Sequence, residues 1–552
     1  MKKIYPLILL FIISLIFIGC RKNEYGFTKK DIQSGQKLIG LNFKNPEIET
    51  MYGYLGRNKA GYDSLRKFQT TNETFPAMMF DPHPYGFVFP EKGEIPNYSI
   101  PEGIELPENF QEIAFYTIPQ LASLIKYKKI SSEDLTKFFI SRIKKYDGKL
   151  ESVITITEDL ALSQARKADL EIAEGNYKGI LHGIPYGVKD LMAVEGYLTT
   201  WGAAPYQDQE IAYTASVVKK LEDEGAVLVA KLVSGSLARG DVWFGGKTKN
   251  PWDLSQGASG SSAGSGSATS AGLVPFALGT ETLGSITSPA TRNGVTGLRP
   301  TYGRVSRYGV MSLSWSMDKI GPLARNAEDC EIIFSAILGK DPKDPSTNDV
   351  PFNYVSRSPK EFKVALLKDD LDSDTTITGD NLRASLQIFK EMGIEPDSIS
   401  LPKEFPYASF DIILRSEAGA FFDELVRSGN VDLMVEQSEG SRANSLRQSR
   451  FIPAVEYLQA NRQRRQLIEE VNKLFKEYDV IIAPSYRSRQ LLITNLTGHP
   501  VISVPNGFDK KDRPTSFTLI GNLYDEGSIL SLAKAFQDST DYDEKHPPKF
   551  ID

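Results

Sequence analysis

The chain has only two cysteines in 552 residues, Cys20 and Cys330, which excludes a disulfide framework. Histidine is nearly as scarce, with His83 in a proline-flanked turn, His546 near the C-terminus, and His182 and His499 each beside a glycine. Structural roles suit all four, so a catalytic base of another residue type is to be sought. No excess of one charge is present: 64 Lys and Arg against 70 Asp and Glu give −6, with both signs interspersed. This leaves no electrostatic footprint for nucleic acid and no charged binding tail. Internal repeats are absent too. The one long apolar run covers residues 4–18, preceded by Lys2 and Lys3 and broken only by Pro6 and Ser14. At about fifteen residues such a run is short for a membrane span and suits the core of a signal peptide.

What the chain does have is a stretch of Gly, Ser, Ala and Thr alone over residues 257–272, followed by a second small-residue turn, Gly279-Thr280-Glu281-Thr282-Leu283-Gly284-Ser285. A flexible linker would sit between polar flanks, whereas this tract runs into Leu273-Val274-Pro275-Phe276-Ala277-Leu278. Small side chains let backbone approach backbone or ligand and let hydroxyls and N–H groups converge, as a buried acyl-transfer site requires. Without a histidine, a lysine serves as base if burial lowers its pKa. Lys189 fits, because it ends an apolar, glycine-flanked segment.

Three other motifs compete. Gly260-Ser261-Ser262-Ala263-Gly264 has the form of a nucleophile elbow with Ser262 attacking, but an elbow follows a hydrophobic strand, and Asp253-Leu254-Ser255-Gln256 does not read as one. Ser216-Val217-Val218-Lys219 has an S-x-x-K form on an amphipathic helix, and residues 240–248 are one residue too long for a phosphate loop.

Taken together, several motifs resemble the amidase signature family, amide hydrolases with a Ser-Ser-Lys triad. They are Gly183-Ile184-Pro185-Tyr186-Gly187-Val188-Lys189-Asp190, Lys249-Asn250-Pro251-Trp252-Asp253, Gly260-Ser261-Ser262-Ala263-Gly264-Ser265, Gly284-Ser285-Ile286, Gly297-Leu298-Arg299-Pro300-Thr301-Tyr302-Gly303-Arg304 and Asp318-Lys319-Ile320-Gly321-Pro322. Gly498-His499-Pro500-Val501-Ile502-Ser503-Val504-Pro505 is similar to the family's closing strands. The resemblance spans residues 114–537. It implies Ser285 as nucleophile, Ser261 as bridging serine, Lys189 as general base and Ser262 as a supporting partner of Lys189. It also implies an oxyanion site among the amides of Thr282, Leu283, Gly284 and Ser285, a cis peptide between Gly260 and Ser261, and no metal or cofactor. Leu283 stands where many members have glycine, and the Glu281-Thr282 form is closer to the peptide-amidase branch. The substrate would be a small-molecule or peptide amide, with the oligomeric state open.

The expected fold is α/β, a central mixed sheet flanked by helices with a helical cap over residues 407–478. Strands are expected at 227–230 and 365–367, and helices at 161–174, 215–225 and 381–393, with a cap at Ser131. Phe17-Ile18-Gly19-Cys20 resembles a bacterial lipobox. The resulting division is a lipoprotein signal peptide at 1–19, a tether and irregular arm from a lipidated Cys20 to 110, an amidase domain at 111–540 and a tail at 541–552. The expected location is the cell envelope, the membrane being the partner through Cys20. Two alternatives stay open: a catalytically silent envelope lipoprotein that binds amide-bearing ligands, and a component resembling part of an aminoacyl-tRNA amidotransferase. The export signal argues against the second.

Overall fold

The apolar runs read as strands are strands, and they join one sheet. The computed structural model describes residues 25–67, 70–90, 98–352, 354, 357–486 and 488–551. The signal segment at 1–19 and Cys20 lie outside the described residues. The sheet has eleven strands: β1 (Val153–Ile156), β2 (Pro185–Lys189), β3 (Val227–Leu232), β4 (Ala277–Glu281), β5 (Thr296–Arg299), β6 (Lys319–Ala324), β7 (Val364–Leu367), β8 (Asp397–Ile399), β9 (Val480–Pro484), β10 (Val501–Phe508) and β11 (Pro514–Gly521). Their spatial order is β1-β3-β2-β4-β6-β5-β10-β11-β9-β7-β8. The pairs β3/β2, β2/β4, β9/β7 and β7/β8 are parallel and the rest antiparallel, so the sheet is mixed.

Central strands such as Val-Leu-Val-Ala-Lys-Leu in β3 are buried along their whole length, as expected where helices cover both faces. Val227 and Val229 join one apolar cluster and Leu228 the other, because successive side chains point to opposite faces. Helices flank the sheet. Ser132–Leu150 begins at Ser131, whose side chain accepts from the Asp134 amide, and Glu158–Ala173, Ser216–Asp223 and Ile377–Glu391 fall where helical spacing places them. Between 407 and 478 the chain is mostly helical, with Asp411–Phe421, Arg442–Ser449 and Ala454–Leu474.

Three details differ from the sequence reading. The segment at 253–257, whose residues do not read as a strand, is one, but it pairs only with Lys249–Asn250 in a two-stranded ribbon outside the main sheet. Residues 541–552 are not a free tail. Phe550 is fully buried, and its carbonyl accepts from Arg142 Nη2 at 2.7 Å.

The third concerns the arm at 20–110. Its described part up to Thr74, together with 451–454, forms a unit separate from the remaining residues, and it holds two helices, Lys29–Leu38 and Asn45–Leu65. Thr28 and Asp31 cap the first reciprocally, and Pro46 opens the second. Residues 75–90 and 98–109, in the larger unit, match an irregular arm. Within the larger unit Phe80 lies edge-on to Tyr302, with ring centroids 5.1 Å apart, and under the Arg464 guanidinium.

Candidate active site

The site forms where β2 and β4, adjacent and parallel, both end. The pairing of Val188 with Leu278 puts Lys189 beside the last residues of β4. Lys189 is completely buried. Its Nζ lies 2.7 Å from Ser261 Oγ and 2.8 Å from Thr280 Oγ1, and no carboxylate among the described residues pairs with it. Removal from water disfavours the ammonium and pushes the group down to about 7, although the charges of Asp318 and Glu281 act the other way. A lysine in this state holds a substantial neutral fraction at physiological pH.

Ser261 follows Gly260 through a cis peptide bond and precedes the helix Ala263–Ser270. Gly260 has to be glycine, since a Cβ there would run into the Gly240 carbonyl oxygen. Ser262 is placed differently from expectation. Its hydroxyl donates to the Thr280 carbonyl (3.2 Å) and accepts from the Thr280 amide (3.1 Å), so it stitches the serine turn to β4 and does not touch Lys189. The second partner of Lys189 is the Thr280 hydroxyl, to which the sequence motifs assign no part. The nucleophile-elbow alternative loses its attacking group, because Ser262 Oγ is fully buried and engaged on both sides.

Ser285 sits in the turn between β4 and the helix Thr287–Asn293, and its carbonyl accepts from the Ser262 amide at 3.2 Å. It is 8% exposed, the most accessible of Lys189, Ser261, Ser262 and itself. The amides of Thr282, Leu283, Gly284 and Ser285 donate to no acceptor among the described residues, an arrangement suited to an incoming oxyanion. Of these four only Gly284 has a positive φ, +85°, so Leu283 fits its position without strain.

Glu281 shapes this turn from inside. One carboxylate oxygen accepts from the Ile286 and Thr287 amides, both at 2.9 Å, and from the Thr287 hydroxyl. The other accepts from Arg299 Nη1 and Asn495 Nδ2, both at 2.8 Å. Burial opposes its charge, but the Arg299 guanidinium and these donors outweigh that and hold Glu281 down to about 2. Thr282 is fixed separately, its hydroxyl donating to Asp318 Oδ1 at 2.5 Å while Asp318 Oδ2 accepts from the Leu313 and Ser314 amides. Next to Lys189, Asp190 forms a fully buried pair with Lys231 at 2.7 Å and accepts from the Thr200 amide and hydroxyl. Glu281, Arg299, Asp318 and Asp190 all lie within the sequence motifs, but nothing in the motifs says what each one holds.

The four histidines are occupied elsewhere: His83 with Asp81 and Tyr524, His182 with Glu171, His499 with Thr497 and the Phe475 ring, and His546 against Phe115. Among the described residues, no three His, Cys, Asp or Glu side chains gather in a way that would hold a metal ion.

The amidase family model matches residues 134–493, a stretch that contains Lys189, Ser261, Ser262 and Ser285. The chain belongs to the amidase signature family. The A subunit of glutamyl-tRNA(Gln) amidotransferase from Halalkalibacterium halodurans is 34% identical over 76% of this chain and 96% of its own. Among solved structures, native peptide amidase from Stenotrophomonas maltophilia is similar with a TM-score of 0.71 at 26% identity, over 80% of this chain and 99% of that one. The corresponding glutamyl-tRNA(Gln) amidotransferase protein from Thermotoga maritima is similar with a TM-score of 0.65 at 26% identity, over 79% and 96%. As in those amidase-signature structures, helices flank a large mixed sheet.

Proposed function

We propose that this amidase-signature chain hydrolyses amides by itself, releasing ammonia or an amine through an acyl-enzyme on Ser285. The observation that carries the reading is the buried Lys189 amine 2.7 Å from Ser261 Oγ. In the proposed cycle Ser285 Oγ attacks the amide carbonyl and gives its proton to Ser261, which passes its own to neutral Lys189. The free amides of 282–285 take the oxyanion. Lys189 then returns a proton through Ser261 to the departing nitrogen, the C–N bond breaks, and water attacks the Ser285 ester by the same relay.

The test is ammonia or amine release from a panel of amides, with no ATP and no partner added. Lys189→Met is expected to remove nearly all turnover and His499→Gln to leave most of it; equal losses would overturn the assignment. The likeness to amidotransferase components supports a second reading, in which the chain works within an amidotransferase assembly. Hydrolysis by the isolated chain speaks for the first reading, and turnover that needs added partner proteins speaks for the second.

We also propose export and lipid anchoring through Cys20, on the strength of Lys2, Lys3, the apolar run at 4–18 and Phe17-Ile18-Gly19-Cys20. Incorporation of labelled palmitate that disappears in Cys20→Ser is the expected result. A chain that stays unlabelled contradicts it.

A further inference from the structure

The even charge balance of the whole chain conceals a local excess. Residues 25–67 carry eight Lys and Arg against four Asp and Glu, a net +4, whereas residues 68–552 come to −13. The structure sharpens this contrast, because every acid in 25–67 is already engaged. Asp31 accepts from the Thr28 amide at the start of the first helix, and Glu47 accepts from the Lys44 amide at the start of the second. Glu49 pairs with Lys29, and Asp63 with Lys59 and Arg66. Lys30, Lys37, Lys44, Arg57 and Lys67 are exposed and have no ion pair among the described residues.

The two helices also leave apolar side chains outside their small core. Tyr25, Phe27 and Tyr52 meet as an aromatic cluster with ring centroids 5.3–6.1 Å apart, and Gly56 leaves room for the Tyr25 ring. Ile48, Tyr52 and Gly56, spaced i, i+4, i+8, thus mark the inward face of the helix Asn45–Leu65. On its opposite face Tyr54, Arg57, Gly61 and Leu65 follow at i, i+3, i+7 and i+11, and the Arg57 guanidinium lies over the Tyr54 ring at 3.9 Å. Leu65 is 72% exposed, and Leu38, at the turn between the helices, is 71% exposed. Ile39, Leu41 and Phe43 in the same turn are exposed as well.

Unpaired cations interleaved with exposed Tyr and Leu suit the headgroup layer of a bilayer, where the rings and alkyl groups enter and Lys and Arg meet phosphates. Chain length points the same way. Five peptide steps, at most about 18 Å of chain, separate Cys20 from Tyr25. A lipid on Cys20 holds this helical pair within reach of the membrane at a high effective concentration, while anionic headgroups repel the acidic remainder of the protein.

We propose that the helical pair at 25–67 docks on an anionic bilayer surface, its unpaired Lys and Arg on lipid phosphates and Leu38, Leu41, Tyr54 and Leu65 in the interface. This rests on the anchoring reading of Cys20.

The test is flotation of the chain from residue 20 onward, carrying Cys20→Ser, with vesicles of phosphatidylcholine alone or with about one third phosphatidylglycerol. This form keeps every described residue and bears no lipid, so any binding belongs to the protein surface. Binding is expected to be roughly tenfold tighter to the anionic vesicles and to weaken at high salt. Lys30→Gln combined with Lys37→Gln is expected to weaken it about 25-fold, at about fivefold per basic residue. Leu38→Ser combined with Leu41→Ser is expected to weaken it severalfold at unchanged charge. All four side chains are exposed, so both double variants leave the aromatic core intact. Equal binding to the two kinds of vesicle, no binding, or binding indifferent to either double variant overturns the proposal. Capture on heparin that Lys30→Gln with Lys37→Gln abolishes, with the vesicles left unbound, assigns the cations to a soluble polyanion and overturns it too. Vesicle binding by a protein whose Cys20 takes up no palmitate removes only the anchor, whereas palmitate labelling without vesicle binding by the lipid-free chain removes only this proposal.

Discussion

At the residue scale the proposed hydrolysis depends on one side chain losing its charge. Lys189 has a folded-state value of about 7, below the ordinary 10.5, and only its neutral form accepts a proton. Turnover is therefore expected to rise about tenfold per pH unit below 7 and to level off above it, as read from kcat/KM against pH. Asp318→Asn removes a negative charge that favours the ammonium, so the rising limb should move to lower pH. The same change keeps an oxygen for the Leu313 and Ser314 amides but puts an NH2 donor where the Thr282 hydroxyl now finds a carboxylate oxygen, at about 1–3 kcal/mol of stability measured by urea unfolding. A limb that stays in place would detach Asp318 from Lys189. Lys189 is legible in the sequence because it ends an apolar segment in a chain poor in histidine. Thr280 is not, since its role arises only when β2 and β4 lie side by side. Ser262 misleads for a related reason: motif proximity says which residues meet, not which way each hydroxyl points.

At the scale of elements, the turn from β4 into the helix Thr287–Asn293 is held from within by a carboxylate with five donors. Glu281→Gln keeps the shape but leaves the buried Arg299 guanidinium without its counter-charge, its Nη2 still donating to the His499 carbonyl. It is expected to cost about 3–5 kcal/mol in urea unfolding and to lower kcat by loosening the amides of 282–285, with a smaller effect on KM. Wild-type stability would mean that Arg299 finds another acceptor. Strands such as β3 and β7 are readable as continuous apolar runs. The helix Asn45–Leu65 is not, because it has no apolar stripe: only Ile48 and Gly56 are buried, and three of its residues are glycines. Its signs are local ones, the reciprocal cap at Thr28 and Asp31 of the preceding helix and the early Pro46. The ribbon strand at 253–257 escapes for want of hydrophobic residues. It is polar and half exposed, as a two-stranded ribbon can be.

For the molecule as a whole, buried acids tie stability to pH. Asp329 accepts from the Ile118 amide at 2.8 Å, and burial raises it to about 8. Glu331, two residues further along the same helix, is likewise raised to about 8 by burial and by Glu328. Both carboxyls are protonated in the folded protein where the unfolded chain has already ionised them. Their contribution to stability is complete below about pH 4 and is lost as pH rises through 8. Asp329→Asn keeps the acceptor for Ile118 and is expected to raise the melting temperature at pH 8 while changing it little at pH 5; an equal shift at both would contradict the assignment. The central claim concerns Ser285, and its most direct test is to treat the protein with a fluorophosphonate at pH 8 and locate the adduct by mass spectrometry. A single adduct on Ser285, nearly abolished in Lys189→Met, is expected. An adduct on Ser262, or labelling of Ser285 that is indifferent to Lys189, would contradict it.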